Sequence, residues 1–210
     1  MEVELVCEWM VLTSHRVQQE VQRLDALDGA IGDGDHGSNV RRGFVHVAAR
    51  LPALTGDRPD PGRLLSRTGD TLINTVGGAA GPLLGGAFRA MGHALAPPGA
   101  GPDRFATALE AGAASIQRLG AAQLGDKTMY DAFAAASVSC ASAVRSGADM
   151  AQAAHVVAVA ACEGMRATVP MQARKGRASY LGLRGVGHQD PGATTISLLF
   201  DALQEAVELV

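Results

Sequence analysis

Aromatic residues are scarce in this chain. Five Phe, two Tyr and one Trp make up only 4% of 210 residues, although 47% of the chain is hydrophobic. The apolar bulk is therefore mostly Ala, Leu and Val, which suits closely packed helices better than a β-sandwich. Cysteine is equally sparse. Cys7, Cys140 and Cys162 are odd in number and far apart, with neither disulfide framework nor metal spacing, which implies a reducing cytoplasm. No long basic run exists and the net charge is −3, which argues against binding nucleic acid through phosphate neutralisation. The longest apolar run, near Ala151–Cys162, contains His155 and is too short to span a bilayer. The start, MEVELVCEWM, is acidic and lacks the basic opening of a signal peptide. These absences leave a soluble cytosolic protein, read as a single domain over residues 1–210.

What is present is helical periodicity. Val3, Val6, Met10, Val17, Val21 and Leu24 share a face, predicting a first helix from about Val3 to Leu24. A second is expected from Asn39 to Leu51, ending before Pro52. A third should run from Pro61 to Val76, with Pro at its start and Gly77-Gly78 at its end. Further helices are expected over Pro82–Met91, Arg104–Leu119, Tyr130–Arg145, Asp149–Val169 and Ala193–Leu209. The Pro- and Gly-rich segment His93–Asp103 reads as a loop. No strand alternation is seen, so roughly eight helices imply an all-α bundle or barrel.

Glycine collects in four stretches between these helices: Gly29–Gly37, Gly77–Gly86, Gly120–Gly125 and Gly176–Gly192. Helix caps explain part of this, but polar groups are packed among the glycines. The first stretch brings Asp28, Asp33 and Asp35 together in sequence. Oxygen-only donors suit Mg²⁺ or Mn²⁺ and leave room for phosphate oxygens; a solvated Asp-Gly turn is the alternative. The second, VGGAAGPL, runs into a helix and offers backbone amides to phosphate. It lacks the Lys-Ser/Thr ending of a P-loop and no strand precedes it; a close helix contact is its rival. In the third, Thr128 can cap a helix, Met129 can pack on a base or in the core, and Asp126-Lys127 reads as a surface pair. The fourth concentrates Arg174, Lys175 and Arg177 before Asp190-Pro191-Gly192, as a phosphate grip or a solvated basic turn. Carboxylates for metal, amides for phosphate and an arginine for neutralisation are together the parts that phosphoryl transfer needs.

Five motifs in order, IGDGDHGSNVRRGF, VGGAAGPLLG, GDKTMYDAF, ARKGRASYLG and GHQDPGATT, resemble the nucleotide-binding L subunits of dihydroxyacetone kinases, from about Trp9 to Val207. The resemblance implies an eight-helix antiparallel barrel with ADP or ATP bound at one end through two Mg²⁺ ions. It implies that Asp28, Asp33 and Asp35 hold the metal. His36, Gly37, Ser38 and Asn39, together with Ala79 and Ala80, would face the phosphates. Gly120 and Met129 would face the adenosine, Arg177 would lie at the nucleotide, and Asp190, Pro191 and Gly192 would close the site. Arg177 would neutralise charge in transfer, and His36 would donate a hydrogen bond or merely cap its helix. The family often carries Ser where this chain has Ala80, a hydroxyl bond worth roughly 0.5–1.5 kcal/mol. The implied partners are a K subunit holding dihydroxyacetone and an M-type subunit carrying a phosphohistidine that recharges ADP. No nucleic acid and no membrane are expected, and a homodimer is left open. Two other readings stand beside this one: a kinase subunit for another acceptor, a tetrulose or a protein-bound fatty acid, and a nucleotide sensor without turnover.

Overall fold

The computed structural model describes residues 1–55, 60–95 and 101–210, and among these every regular element is a helix. They are α1 (Val3–Ile31), α2 (His36–Thr55), α3 (Pro61–Thr75), α4 (Ala80–Leu95), α5 (Pro102–Gly120), α6 (Met129–Arg145), α7 (Met150–Ala167) and α8 (Pro191–Leu209). A 3-10 segment, Arg177–Gly185, kinked at Gly182, lies between α7 and α8. None of these helices is long and apolar enough to cross a membrane. Residues 96–100 of the expected Pro/Gly loop lie outside the described residues.

Helix starts follow their caps. Asp60 accepts from the Arg63 amide ahead of Pro61, and Thr128 and Asp149 each form a reciprocal capping box. Three helix ends run four residues or more past the sequence expectation. First, α1 continues seven residues beyond Leu24, to Ile31, which carries Asp25 and Asp28 onto one helical face. Second, α2 runs through Pro52 to Thr55. A proline removes one backbone donor and crowds the carbonyl four residues earlier, but here only three helical residues follow it. Third, α4 continues beyond Met91 to Leu95, and α5 opens at Pro102, so residues 93–95 and 102–103 of the expected loop are helical.

Each helix packs on the next, and α8 packs back on α1, so the sequence of contacts forms a closed circuit. Its centre is where the few aromatic residues are spent. Phe44, Phe88, Trp9, Phe200 and Phe133 form a continuous chain of rings, with centroids 5.3–6.4 Å apart. They come from α2, α4, α1, α8 and α6, so each ring pair joins two helices. Trp9 also donates its indole N–H to the Leu199 carbonyl at 2.7 Å, which satisfies the one polar atom that its burial would otherwise strand. The α3–α4 pair uses the opposite device. A Cβ on Gly69 would lie 2.5 Å from the Gly85 carbonyl, and one on Gly85 would lie 2.5 Å from that of Gly69. The two backbones therefore touch where any side chain would separate them.

This packing is up-and-down. α1, α3 and α5 finish, and α2, α4, α6 and α8 begin, around a single cavity. That end of the molecule carries the polar chemistry.

Candidate functional site: a carboxylate-walled cavity

The cavity measures about 610 Å³, within the range of small-molecule sites. Four helix N-termini open on it, at His36, Ala80, Met129 and Pro191. Their free amides and aligned peptide dipoles make the wall attractive to anions. One corner is the reverse. One carboxylate oxygen from each of Asp28, Asp33 and Asp35 lies within 4.8 Å of the others.

The turn between α1 and α2 holds those acids in place. Asp28 Oδ2 accepts the amides of Gly34, Asp35 and His36 at 2.9, 3.0 and 3.2 Å. That one oxygen is saturated, which leaves Oδ1 free for the cluster. Asp25, one turn earlier on α1, binds the Ser38 amide at 2.9 Å and the Ser38 hydroxyl at 2.8 Å. It thereby satisfies part of the N-terminus of α2. Gly37 permits the approach, because a Cβ there would lie 2.4 Å from the Val21 carbonyl. The only cation paired with the three clustered acids among the described residues is Arg177, which meets Asp33 at 2.8 Å. Three carboxylates against one guanidinium leave net negative charge, and an all-oxygen donor set of this kind fits a hard divalent cation.

His36 is tied to α8. Its Nε2 lies 2.8 Å from Thr195 Oγ1. The Thr195 hydroxyl also reaches the Pro191 carbonyl at 3.2 Å. Burial pushes the His36 pKa below the usual histidine value, against the opposing pull of Asp28, Asp25 and Asp35. Asn39 faces the cavity and accepts from Arg42 at 2.8 Å, while Arg42 also donates to the Thr75 carbonyl at 2.7 Å. That pair braces the Gly77–Ala80 loop. Ala80 opens α4 with its methyl 7% exposed in the core, and Ala79 precedes it on the cavity wall.

The far side is built by residues 120–131 and 168–192. Gly120, Met129, Leu83, Ile116 and Leu119 form an apolar end of the cavity. Asp190 caps α8 by accepting the Ala193 amide at 2.7 Å. Burial raises its pKa to about 7, with the Ala193 bond opposing. Asp126 and Lys127 are not the surface pair expected from sequence, being 5% and 1% exposed. Asp126 Oδ2 accepts the Gln123 amide at 2.8 Å. The Lys127 ammonium donates to the carbonyls of Thr168 (2.7 Å), Val169 (3.3 Å) and His188. Burial lowers its pKa, with Asp190 opposing.

The structure thus brings Asp28, Asp33, Asp35, His36, Asn39, Ala79 and Ala80 to one cavity. Gly120, Met129, Arg177, Asp190, Pro191 and Gly192 line it too. Gly37 and Ser38 do not line it; they face α1. Sequence reasoning missed Asp25, Lys127 and Thr195. Asp25 stands three residues before Asp28, a helical i, i+3 spacing, but ending α1 at Leu24 hid it.

Comparison with known proteins places this architecture. The DAK2 domain model matches residues 30–205. The chain is 37% identical over 204 residues to the ADP-binding subunit of the PEP-dependent dihydroxyacetone kinase of Escherichia coli, covering 97% of this chain and 96% of that one. It is 34% identical to the ADP-binding subunit of the PTS-dependent dihydroxyacetone kinase of Lactococcus lactis, covering 98% of each. Among solved structures, the dihydroxyacetone kinase of C. freundii in complex with AMP-PNP and Mg²⁺ superposes with a TM-score of 0.74 at 27% identity. That match covers 96% of this chain but 33% of the longer one, so this chain spans about a third of that kinase. The chain belongs to the DAK2 domain family, and it matches ADP-binding subunits of dihydroxyacetone kinases over nearly its whole length.

Proposed function

We propose that this chain is the ADP-binding subunit of a phosphoenolpyruvate-dependent dihydroxyacetone kinase. It would carry a Mg²⁺-bound nucleotide whose terminal phosphate passes to dihydroxyacetone on a separate K subunit. A phosphohistidine on an M-type subunit of the phosphotransferase system would restore that phosphate. The observation that carries the reading is the Asp28-Asp33-Asp35 cluster facing a cavity otherwise walled by helix N-termini. That is one corner for cations beside a surface for anions. Asp28, Asp33 and Asp35 would hold a pair of Mg²⁺ ions, which would supply positive charge against the phosphates and the transferring group.

The chain's own residues then divide the work. The amides of Ala79 and Ala80 at the start of α4 would receive phosphate oxygens. Asn39, braced by Arg42, would stand beside them. Arg177, 66% exposed along its side chain and paired with Asp33, can share its planar donors between that carboxylate and a phosphate. His36 would act through position, fixing the start of α2 against α8 by its bond to Thr195. Met129 and Gly120, with Leu83, Ile116 and Leu119, would receive the flat apolar base. Gly37 and Ser38 would serve the approach of α2 to α1 without touching the ligand.

The test is direct. The purified protein is denatured and the released small molecules are identified by mass spectrometry, alongside a Mg²⁺ count per chain. ADP in near-equal amount with Mg²⁺ supports the reading. A protein that neither carries nor binds Mg²⁺–ADP removes it.

A further inference from the structure

Lys127 is the least expected residue at the cavity. It lies in the left-handed backbone region, at φ 62°, where a long side chain is uncommon. Such a conformation persists only where its surroundings over-determine it. It immediately precedes Thr128, the cap of α6. A lysine beside a cavity walled by helix N-termini suggests a phosphate ligand, but its ammonium is already taken up by protein carbonyls. An ammonium has three N–H donors, and all three are spent on the Thr168, Val169 and His188 carbonyls.

Those three acceptors lie at the two ends of one excursion of the chain. Thr168 and Val169 end α7, while His188 stands two residues before the cap of α8. The same junction carries the Gly187 amide on the Val169 carbonyl at 2.8 Å and the Asp190 amide on Thr168 Oγ1 at 3.1 Å. Between the two ends, residues 170–187 form a strap that includes Arg177. Elsewhere the strap is held by the Arg177–Asp33 pair at 2.8 Å, an Arg174–Asp126 pair at 3.9 Å and a few further contacts. Ala173 and Ala178 pack with Ile31, and the Arg174 amide donates to the Asp126 carbonyl at 3.1 Å. A positive charge at the C-terminus of α7 is also favourable to the helix dipole.

We propose that Lys127 is a positioning residue that clasps the base of this strap and thereby aims Arg177 and the Asp190-Pro191-Gly192 turn at the cavity. It acts through those segments and touches no ligand itself.

The experiment has two arms on the full chain. The first follows hydrogen exchange in nucleotide-free protein, comparing wild type with Lys127→Met. Exchange in peptides spanning 170–189 should quicken about tenfold or more, with α1 to α5 unchanged. Unchanged strap exchange overturns the proposal. The second arm rests on the nucleotide reading above and measures Mg²⁺–ADP affinity in a double-mutant cycle with Arg177→Ala. Lys127→Met should weaken binding about tenfold in the wild-type background and by about a third of that factor, or less, when Arg177 is already absent. Equal losses in both backgrounds would mean that Lys127 does not work through the strap. If wild type binds no Mg²⁺–ADP, the nucleotide reading fails and the exchange arm alone decides the role of Lys127. Should Lys127→Met not fold, Lys127→Gln, which keeps two N–H donors without the charge, replaces it. Loss of the helices in both variants would make Lys127 a general fold residue and overturn the assignment.

Discussion

The two sides of the cavity are built on different terms. The acidic turn between α1 and α2 is satisfied locally: Asp28 and Asp25 together accept five hydrogen bonds from residues within thirteen positions along the chain. The strap opposite takes its closure from far away, since Lys127 reaches acceptors 41, 42 and 61 positions along. A locally satisfied turn presents its carboxylates ready-made. The strap is closed at its base by the Lys127 ammonium together with the Gly187 and Asp190 amides, and its place at the site depends on that closure. Under the proposed function, a locally held acidic turn and an arginine carried on a separately closed strap would suit gripping a nucleotide while leaving its end phosphate open to a partner.

That contrast can be broken most forcefully at Asp33, the acid where the two walls meet. Asp33→Ala removes one donor of the cluster and the partner of Arg177. Co-purifying nucleotide should disappear while the far-ultraviolet circular dichroism stays helical; nucleotide at the wild-type level would refute the cation corner. Next in size is Arg177→Ala. With purified partner subunits, phosphate transfer should fall by about a thousandfold, with a smaller loss of Mg²⁺–ADP affinity, because the guanidinium is argued to matter most while charge develops.

Smaller effects separate the walls further. Asp25→Ala removes the acceptor of the Ser38 amide, a cap worth about 1 kcal/mol. The melting temperature should drop by about 2–4 °C, whether or not ligand is present, because Asp25 supports the acidic turn without lining the cavity. On the strap side, Asp190→Asn keeps a capping side chain and removes a titrating one. The folded pKa of Asp190, about 7, lies above its ordinary value of 3.8. The folded state therefore holds a proton that the unfolded chain releases, and this contribution to stability is present below about pH 4 and lost as pH rises toward 7. In melting curves of the ligand-free protein, wild type should lose stability relative to Asp190→Asn across that window. Parallel curves would show that burial does not perturb this carboxylate.

Much of this was legible in the sequence, for identifiable reasons. Helix starts were marked by Thr128, Asp149 and Pro61, whose roles are local. The three acids stood within eight residues, so their clustering needed no knowledge of tertiary contacts. The end of α1 was not legible, because after Leu24 the polar residues of α1 face the acidic turn and the apolar period fades. The resemblance implied phosphate contacts at His36, Gly37, Ser38 and Asn39 alike; the helical turn sets His36 and Asn39 on the cavity and Gly37 and Ser38 toward α1. Lys127 was misread for a deeper reason. A lysine beside an aspartate in a Gly-bounded loop ordinarily faces water, and nothing local reveals that carbonyls from two distant segments enclose it. The glycines of the second stretch split between both readings. Gly81 and Gly85 serve close packing against α3 and the turn before α4, while Gly77 and Gly78 sit on the cavity wall.

The alternation of the helices among the described residues has a further consequence. At 1.5 Å per residue, the 29 residues of α1 carry Val3 roughly 40 Å from the acidic turn, and α8 likewise leads Val210 away from the cavity. Both chain ends are thus remote from the mouth. Another domain can be joined covalently at either end without obstructing the opening, a geometry equally serviceable to a separate subunit and to a segment of a longer polypeptide such as the C. freundii kinase.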